Sequence, residues 1–296
     1  MAHAYKKRKV ICIGGSYFQR VRFELEKAGF IFVFLTNVQM LYSSNLPPRK
    51  REIKRNFFET IKNELNKNTL ILLNLTGNSL FVNQCKKDHH NPENTSGFDN
   101  YKTESYIQCM MNLLRFLIQN LKNKGMEWTE MKESIVILPT SPRFIYTCCQ
   151  DPNHHTQDLK TIHDTVSSLQ LKLKNHFIIE NVSMIRVVPL RHWTNFILIN
   201  LDIDEIFCAD MEFLKKLCKR NFTFSFQKLG GNKTAQKIIL KYVLDLEKDN
   251  GLHIKSDYNK LWIDYLHCLK TPDYPINAVV TRKLLTYYNK LKEYDD

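Results

Sequence analysis

Glycine and proline are scarce in this 296-residue chain, nine of each. That excludes collagen-like and low-complexity proteins and leaves Asn, Lys, Asp and Ser to build the loops. No run approaches the roughly 20 consecutive apolar residues of a membrane span. The basic stretch Lys6 to Lys9 is followed by too few apolar residues before Gly14-Gly15 for the central region of a secretory signal. None of the eight cysteines forms a Cys-x-x-Cys pair. Cys148 and Cys149 are adjacent, and Cys12, Cys109, Cys208, Cys218 and Cys268 fall in apolar-periodic segments, where buried thiols are common. An intracellular protein, cytoplasmic or nuclear, is expected on these grounds. Internal repeats and Pro/Gly/Ser-rich linkers are lacking too. The chain is therefore read as one α/β domain over 1–270, with a polar insertion at about 84–103 and a basic helical extension over 271–296.

What is present suits a folded, basic protein. The composition is 43% hydrophobic and 25% charged, and the length suffices to bury a core without disulfide or metal staples. Lys and Arg number 43 against 30 Asp and Glu, a formal charge of +13, which favours polyanionic partners such as RNA or DNA. Part of the excess is local. Arg49, Lys50, Arg51, Lys54 and Arg55 cluster just after Pro47-Pro48, as a nucleic-acid or nuclear-import patch would, and equally as the solvated face of a helix would.

Apolar runs alternate with helical periodicity. Val10 to Ile13 predicts a strand ending at Gly14-Gly15, and Arg20 to Ala28 a helix stopped by Gly29. Phe30 to Leu35 and Thr69 to Leu75 predict strands either side of an amphipathic helix over Arg51 to Leu65. Glu104 to Leu121 predicts a helix, Ser134 to Leu138 and Met184 to Val188 strands, and Asp158 to Lys174, Asp210 to Arg220 and Lys233 to Leu246 helices. After the turn at Asp249-Asn250-Gly251-Leu252-His253 an aromatic-rich helix closes the pattern. Such alternation implies a mostly parallel sheet covered on both faces, with its ligand beyond the carboxyl ends of the strands.

Three residues at those positions bear chemistry. Ser16 follows the first strand, where its hydroxyl can project from the sheet edge as a nucleophile; the same position also suits a helix N-cap serine. Asn78 follows the third strand beside Gly77 and can donate its amide to an oxyanion, or serve as a turn residue. His253 can act as base toward a serine. In order and spacing these segments resemble the SGNH (GDSL-like) hydrolase family. Gly14-Gly15-Ser16 is similar to its first block, Gly77-Asn78-Ser79 to its third and Asn250-Gly251-Leu252-His253 to its last. Ile135 to Arg143 is similar to its fourth strand and proline-containing exit.

The resemblance implies a three-layer α/β/α sandwich with a flavodoxin-like sheet and a weak serine esterase acting on an ester substrate. Ser16 would be its nucleophile and His253 its base. The oxyanion donors would be the Ser16 N–H, the Asn78 side chain and the Gly29 N–H. Where the family carries the aspartate that orients the histidine, this chain has Asn250, with Asp249 adjacent; the corresponding change in serine proteases lowers turnover about 10⁴-fold. Gly15 and Ser79 replace further family aspartates. The alternative implied is a pseudoenzyme that binds RNA, DNA or a protein through its basic surface. The RNA-binding C-terminal domain of the germ-plasm protein Oskar is of that kind, and SGNH-like domains occur in some non-LTR retrotransposon proteins.

Other chemistries are disfavoured. Gly-x-Ser-x-Gly and Gly-x-Gly-x-x-Gly are missing after the first strand, and Gly230-Gly231-Asn232-Lys233-Thr234 lacks the rest of a phosphate loop. Cys148, Cys149, His154, His155 and His163 match no familiar zinc spacing. No cofactor and no metal are expected.

Overall fold

The computed structural model of the chain describes residues 8–75, 100–127, 134–138, 171, 172, 175, 185–188, 192, 193, 196, 200, 243, 245 and 253–270. The chain divides into two compact units, Met1–Thr140 with Tyr146–Val188, and Ser141–Ile145 with Pro189–Asp296.

The first unit is built on a five-stranded sheet: β1 (Lys9–Gly14), β2 (Phe30–Phe34), β3 (Thr69–Asn74), β4 (Ile135–Ile137) and β5 (Ile185–Val187). Every pairing is parallel, and the order is β2-β1-β3-β4-β5. This is the flavodoxin-type doubly wound order, whose switch point lies between β1 and β3. Strands apolar on both faces are what such a sheet requires. Val10, Ile11, Cys12 and Ile13 of β1 and Leu70 to Leu73 of β3 are all buried.

Register assigns the two faces. Ile11 and Ile13 align with Ile71 and Leu73, which align with Ile135 and Ile137. These odd-numbered side chains join one core with Phe57 and Ile61 of α3 (Pro48–Glu64) and with Tyr106, Met110, Leu113, Leu114 and Leu117 of α4 (Asn100–Asn123). On the even-numbered side, Phe18 of α1 (Ser16–Arg20) meets Phe32 of β2 edge to face, ring centroids 6.3 Å apart. Each fully buried Leu, Ile or Phe contributes about 1.5–3 kcal/mol relative to exposure.

Boundaries differ from expectation for local reasons. The helix expected over Arg20 to Ala28 starts at Ser16 and is broken at Val21 (φ −108°, ψ 24°), which separates α1 from α2 (Arg22–Lys27). α3 begins at Pro48, because proline suits the first helical position, where no N–H is needed. α4 begins at Asn100, so the last residues assigned to the polar insertion are helical; 84–99 lie outside the described residues, as does 271–296.

In the second unit, Trp193 packs against Trp262 and Tyr265 of α5 (Asn259–Cys268), ring centroids 4.7 and 4.6 Å apart, and Phe196 lies 5.2 Å from Tyr265. His192 Nδ1 and the Tyr265 hydroxyl are 3.1 Å apart. The helix expected over Lys233 to Leu246 does not reach Val243 and Asp245. The Asp245 N–H donates to the His253 carbonyl (3.0 Å) and the Lys255 N–H to the Val243 carbonyl (2.8 Å), a short antiparallel ladder instead.

Candidate functional site

β1 ends at Gly14, and this glycine allows a close approach. A Cβ there would sit 2.8 Å from Phe18 Cδ2 and 3.0 Å from the Asn74 carbonyl oxygen. With no side chain in the way, α1 folds back over the end of β1 and its first residue, Ser16, stays at the carboxyl rim, half-buried. Gly14 pairs with Phe34 on one side and Asn74 on the other, so the turn bearing Ser16 lies at the β1/β3 switch. Gly15, not Ser16, is the N-cap of α1, and the first helical hydrogen bond runs from the Gln19 N–H to the Gly15 carbonyl (3.1 Å). The capping role that serine commonly takes at a helix start therefore does not fall to Ser16.

Gly29 lies elsewhere. It precedes Phe30, which pairs with Val10 near the amino end of β1, so the length of the sheet separates it from Ser16. Its φ of +80° and its N–H bond to the Glu26 carbonyl (3.0 Å) make it the stop of α2. Its N–H is not among the donors at the Ser16 rim, which corrects the oxyanion role that the resemblance implied.

The five cations after Pro47-Pro48 lie in the first half of α3. Lys54 donates to the Ser43 carbonyl (3.1 Å) and Arg55 faces Glu59 at 3.9 Å. Arg49, Lys50 and Arg51 are exposed, with no ion pair among the described residues, and the first turn of α3 has no acidic residue. Cations there oppose the helix dipole, an arrangement that favours an incoming anion. Lys9 of β1 pairs with Glu64 at the other end of α3, so α3 runs antiparallel to the strands and its basic end lies toward their carboxyl ends.

His253 belongs to the second unit and is half-buried. The Asp245 N–H donates to the His253 carbonyl, which sets the two residues opposite one another across this short pairing. Asp245 is buried, one of few polar residues in that state among those described. Sequence reading misses this carboxylate because it sits in the helical-looking Lys233 to Leu246, eight positions before the histidine. The only sequence signal was an acid just ahead of a turn that could bring the chain back. Asn78, Asp249 and Asn250 lie outside the described residues, as do Cys148, Cys149, His154, His155 and His163.

Among the described residues no cluster of His, Cys, Asp or Glu could hold a metal ion, and no helix is long and apolar enough to cross a membrane. Cys12, Cys109 and Cys268 are thiols, and burial pushes the last two above their ordinary pKa, away from nucleophilic reactivity. No family model, no curated protein and no solved structure matches the chain.

Proposed function

We propose that the chain is an SGNH-like hydrolase domain, a three-layer α/β/α sandwich that cleaves esters through Ser16. The observation that carries the reading is the position of Ser16 directly after β1, at the switch between β1 and β3, where doubly wound sheets bind their ligands. Ser16 Oγ attacks the ester carbonyl while His253 takes its proton. The Ser16 N–H and the Asn78 amide stabilise the oxyanion. His253 then protonates the departing alkoxide, and water, deprotonated by the same imidazole, releases the acid from the acyl-serine. Asp245, opposite His253, is the carboxylate that orients the imidazole, so Asn250 need not supply that charge.

A fluorophosphonate probe labels only an activated serine. The wild-type chain is expected to label and to hydrolyse a short-chain p-nitrophenyl ester, and Ser16→Ala and His253→Ala to lose both. Asp245→Asn is expected to lower kcat by about 10²–10⁴ with KM little changed, while Asn250→Ala leaves kcat near wild type. An unlabelled wild-type chain sinks the reading.

A second reading, a non-catalytic polyanion binder on the same scaffold, is favoured by the exposed Arg49, Lys50 and Arg51 at the start of α3. RNA or DNA would then be held through phosphate contacts that fade with salt.

A further inference from the structure

We infer that the outer edge of β2 is a docking site for an extended, acidic peptide segment of a partner protein, which adds to the sheet as a further strand. Among the described residues β2 ends the sheet on one side. The Leu35 N–H donates to the Gly14 carbonyl (2.9 Å), so by alternation the amides of Ile31 and Val33 face β1 while those of Phe32 and Phe34 face outward. Among the described residues no backbone group pairs with the outward amides of Phe32 and Phe34. The strand, Phe-Ile-Phe-Val-Phe, carries no charge and no proline, the devices by which edge strands are usually protected from pairing.

A groove of about 570 Å³ follows this edge. Phe32 and Phe34 form its floor, half-exposed and 6.2 Å apart edge to face. One wall is the stripe of α3 that carries Arg49, Ile53 and Asn56 at helical spacing, and Gln19 of α1 stands on the other lip. The walls lie on opposite faces of the sheet, so the groove would receive alternate side chains of an added strand on both sides, as strand addition requires.

Charge selects the occupant. Arg49 stands at the mouth of the groove with Lys50 and Arg51 beside it, and Glu52 is the acid on the same wall. A second copy pairing through β2 would bring two such basic helix ends to one interface in a protein of net charge +13. An acidic segment meets them with opposite charge, and its main-chain groups pair with the Phe32 and Phe34 amides. This surface is separate from Ser16 and does not depend on hydrolysis.

The test titrates the full chain with fluorescent peptides of about ten residues that alternate Val or Ile with Asp or Glu. Saturable binding is expected, with the Phe32 and Phe34 amides gaining protection from hydrogen exchange. N-methylation of alternate peptide amides and Arg49→Glu are each expected to weaken binding about tenfold or more. Phe32→Pro, which removes an outward N–H, should act likewise; the N-methylated peptides keep the test valid if that variant does not fold. Ser16→Ala should bind as wild type. Equal affinity for N-methylated peptide, or no saturation by any peptide, overturns the proposal. So does a dimer that already protects these amides, or single-stranded RNA that displaces the peptide and shields them.

Discussion

Tyr106 is fully buried in the core beneath the sheet, and its hydroxyl has no hydrogen-bond partner among the described residues. A buried, unsatisfied hydroxyl costs about 1–3 kcal/mol. Tyr106→Phe is therefore expected to raise stability by about 1 kcal/mol, read as a higher denaturant midpoint with an unchanged slope. Burial pushes the Tyr106 hydroxyl far above the ordinary tyrosine range. Tyr42, held up first by burial and then by the nearby Cys109 thiol, is pushed from 10.0 to about 12. Both phenols bind their protons more tightly folded than unfolded, so their contribution is complete below about pH 10 and is lost as pH rises beyond it. Denaturant midpoints should fall between about pH 9 and about pH 12, and less steeply in Tyr106→Phe. Equal slopes for the two proteins would contradict that assignment.

At the scale of elements, two glycines limit the β1–α1–α2–β2 unit in different ways. An alanine methyl at Gly14 meets the Phe18 ring at a distance real Cβ atoms essentially never show and crowds the Asn74 backbone at 3.0 Å, so Phe18 and with it α1 must shift. Gly14→Ala is expected to cost about 2–3 kcal/mol and to lower any Ser16-dependent activity as well, because α1 moves with Phe18. Gly29 has open space around it and a φ of +80°, so Gly29→Ala should cost only about 1 kcal/mol, from backbone strain, and leave Ser16 labelling intact. Thermal melts and probe labelling of the pair separate packing from conformation. α1 itself was hard to foresee. Five residues show no helical period, and the buried Val21, which interrupts the helix, looks in the sequence like part of its apolar stripe.

For the molecule as a whole, the net charge of +13 is a statement about partners rather than fold. If RNA or DNA binds at the start of α3, replacing Arg49, Lys50 and Arg51 by Gln should weaken binding to all sequences alike. It should also reduce the slope of log affinity against log salt by about 2–3, close to one for each phosphate that is no longer neutralised. An unchanged slope places any nucleic acid on another surface. The strands were legible across the first unit because strands covered on both faces must be apolar throughout, and Val10 to Ile13, Phe30 to Leu35 and Thr69 to Leu75 are. His253 and Ser16 were legible as candidates because each follows a strand or turn signal. Asp245 was not, since the periodicity around it is that of a helix.

The amino-acid sequence alone determined a basic chain of alternating strands and helices, with a serine after its first strand, because apolar period and turn chemistry are local properties. Only the tertiary structure decided which strands are neighbours, and hence that Ser16 stands at the β1/β3 switch and β2 at the edge of the sheet among the described residues. It also moved Gly29 to the far end of the sheet and set Asp245 across from His253. Those relations depend on hydrogen-bond register between segments far apart in the chain, which no local pattern encodes.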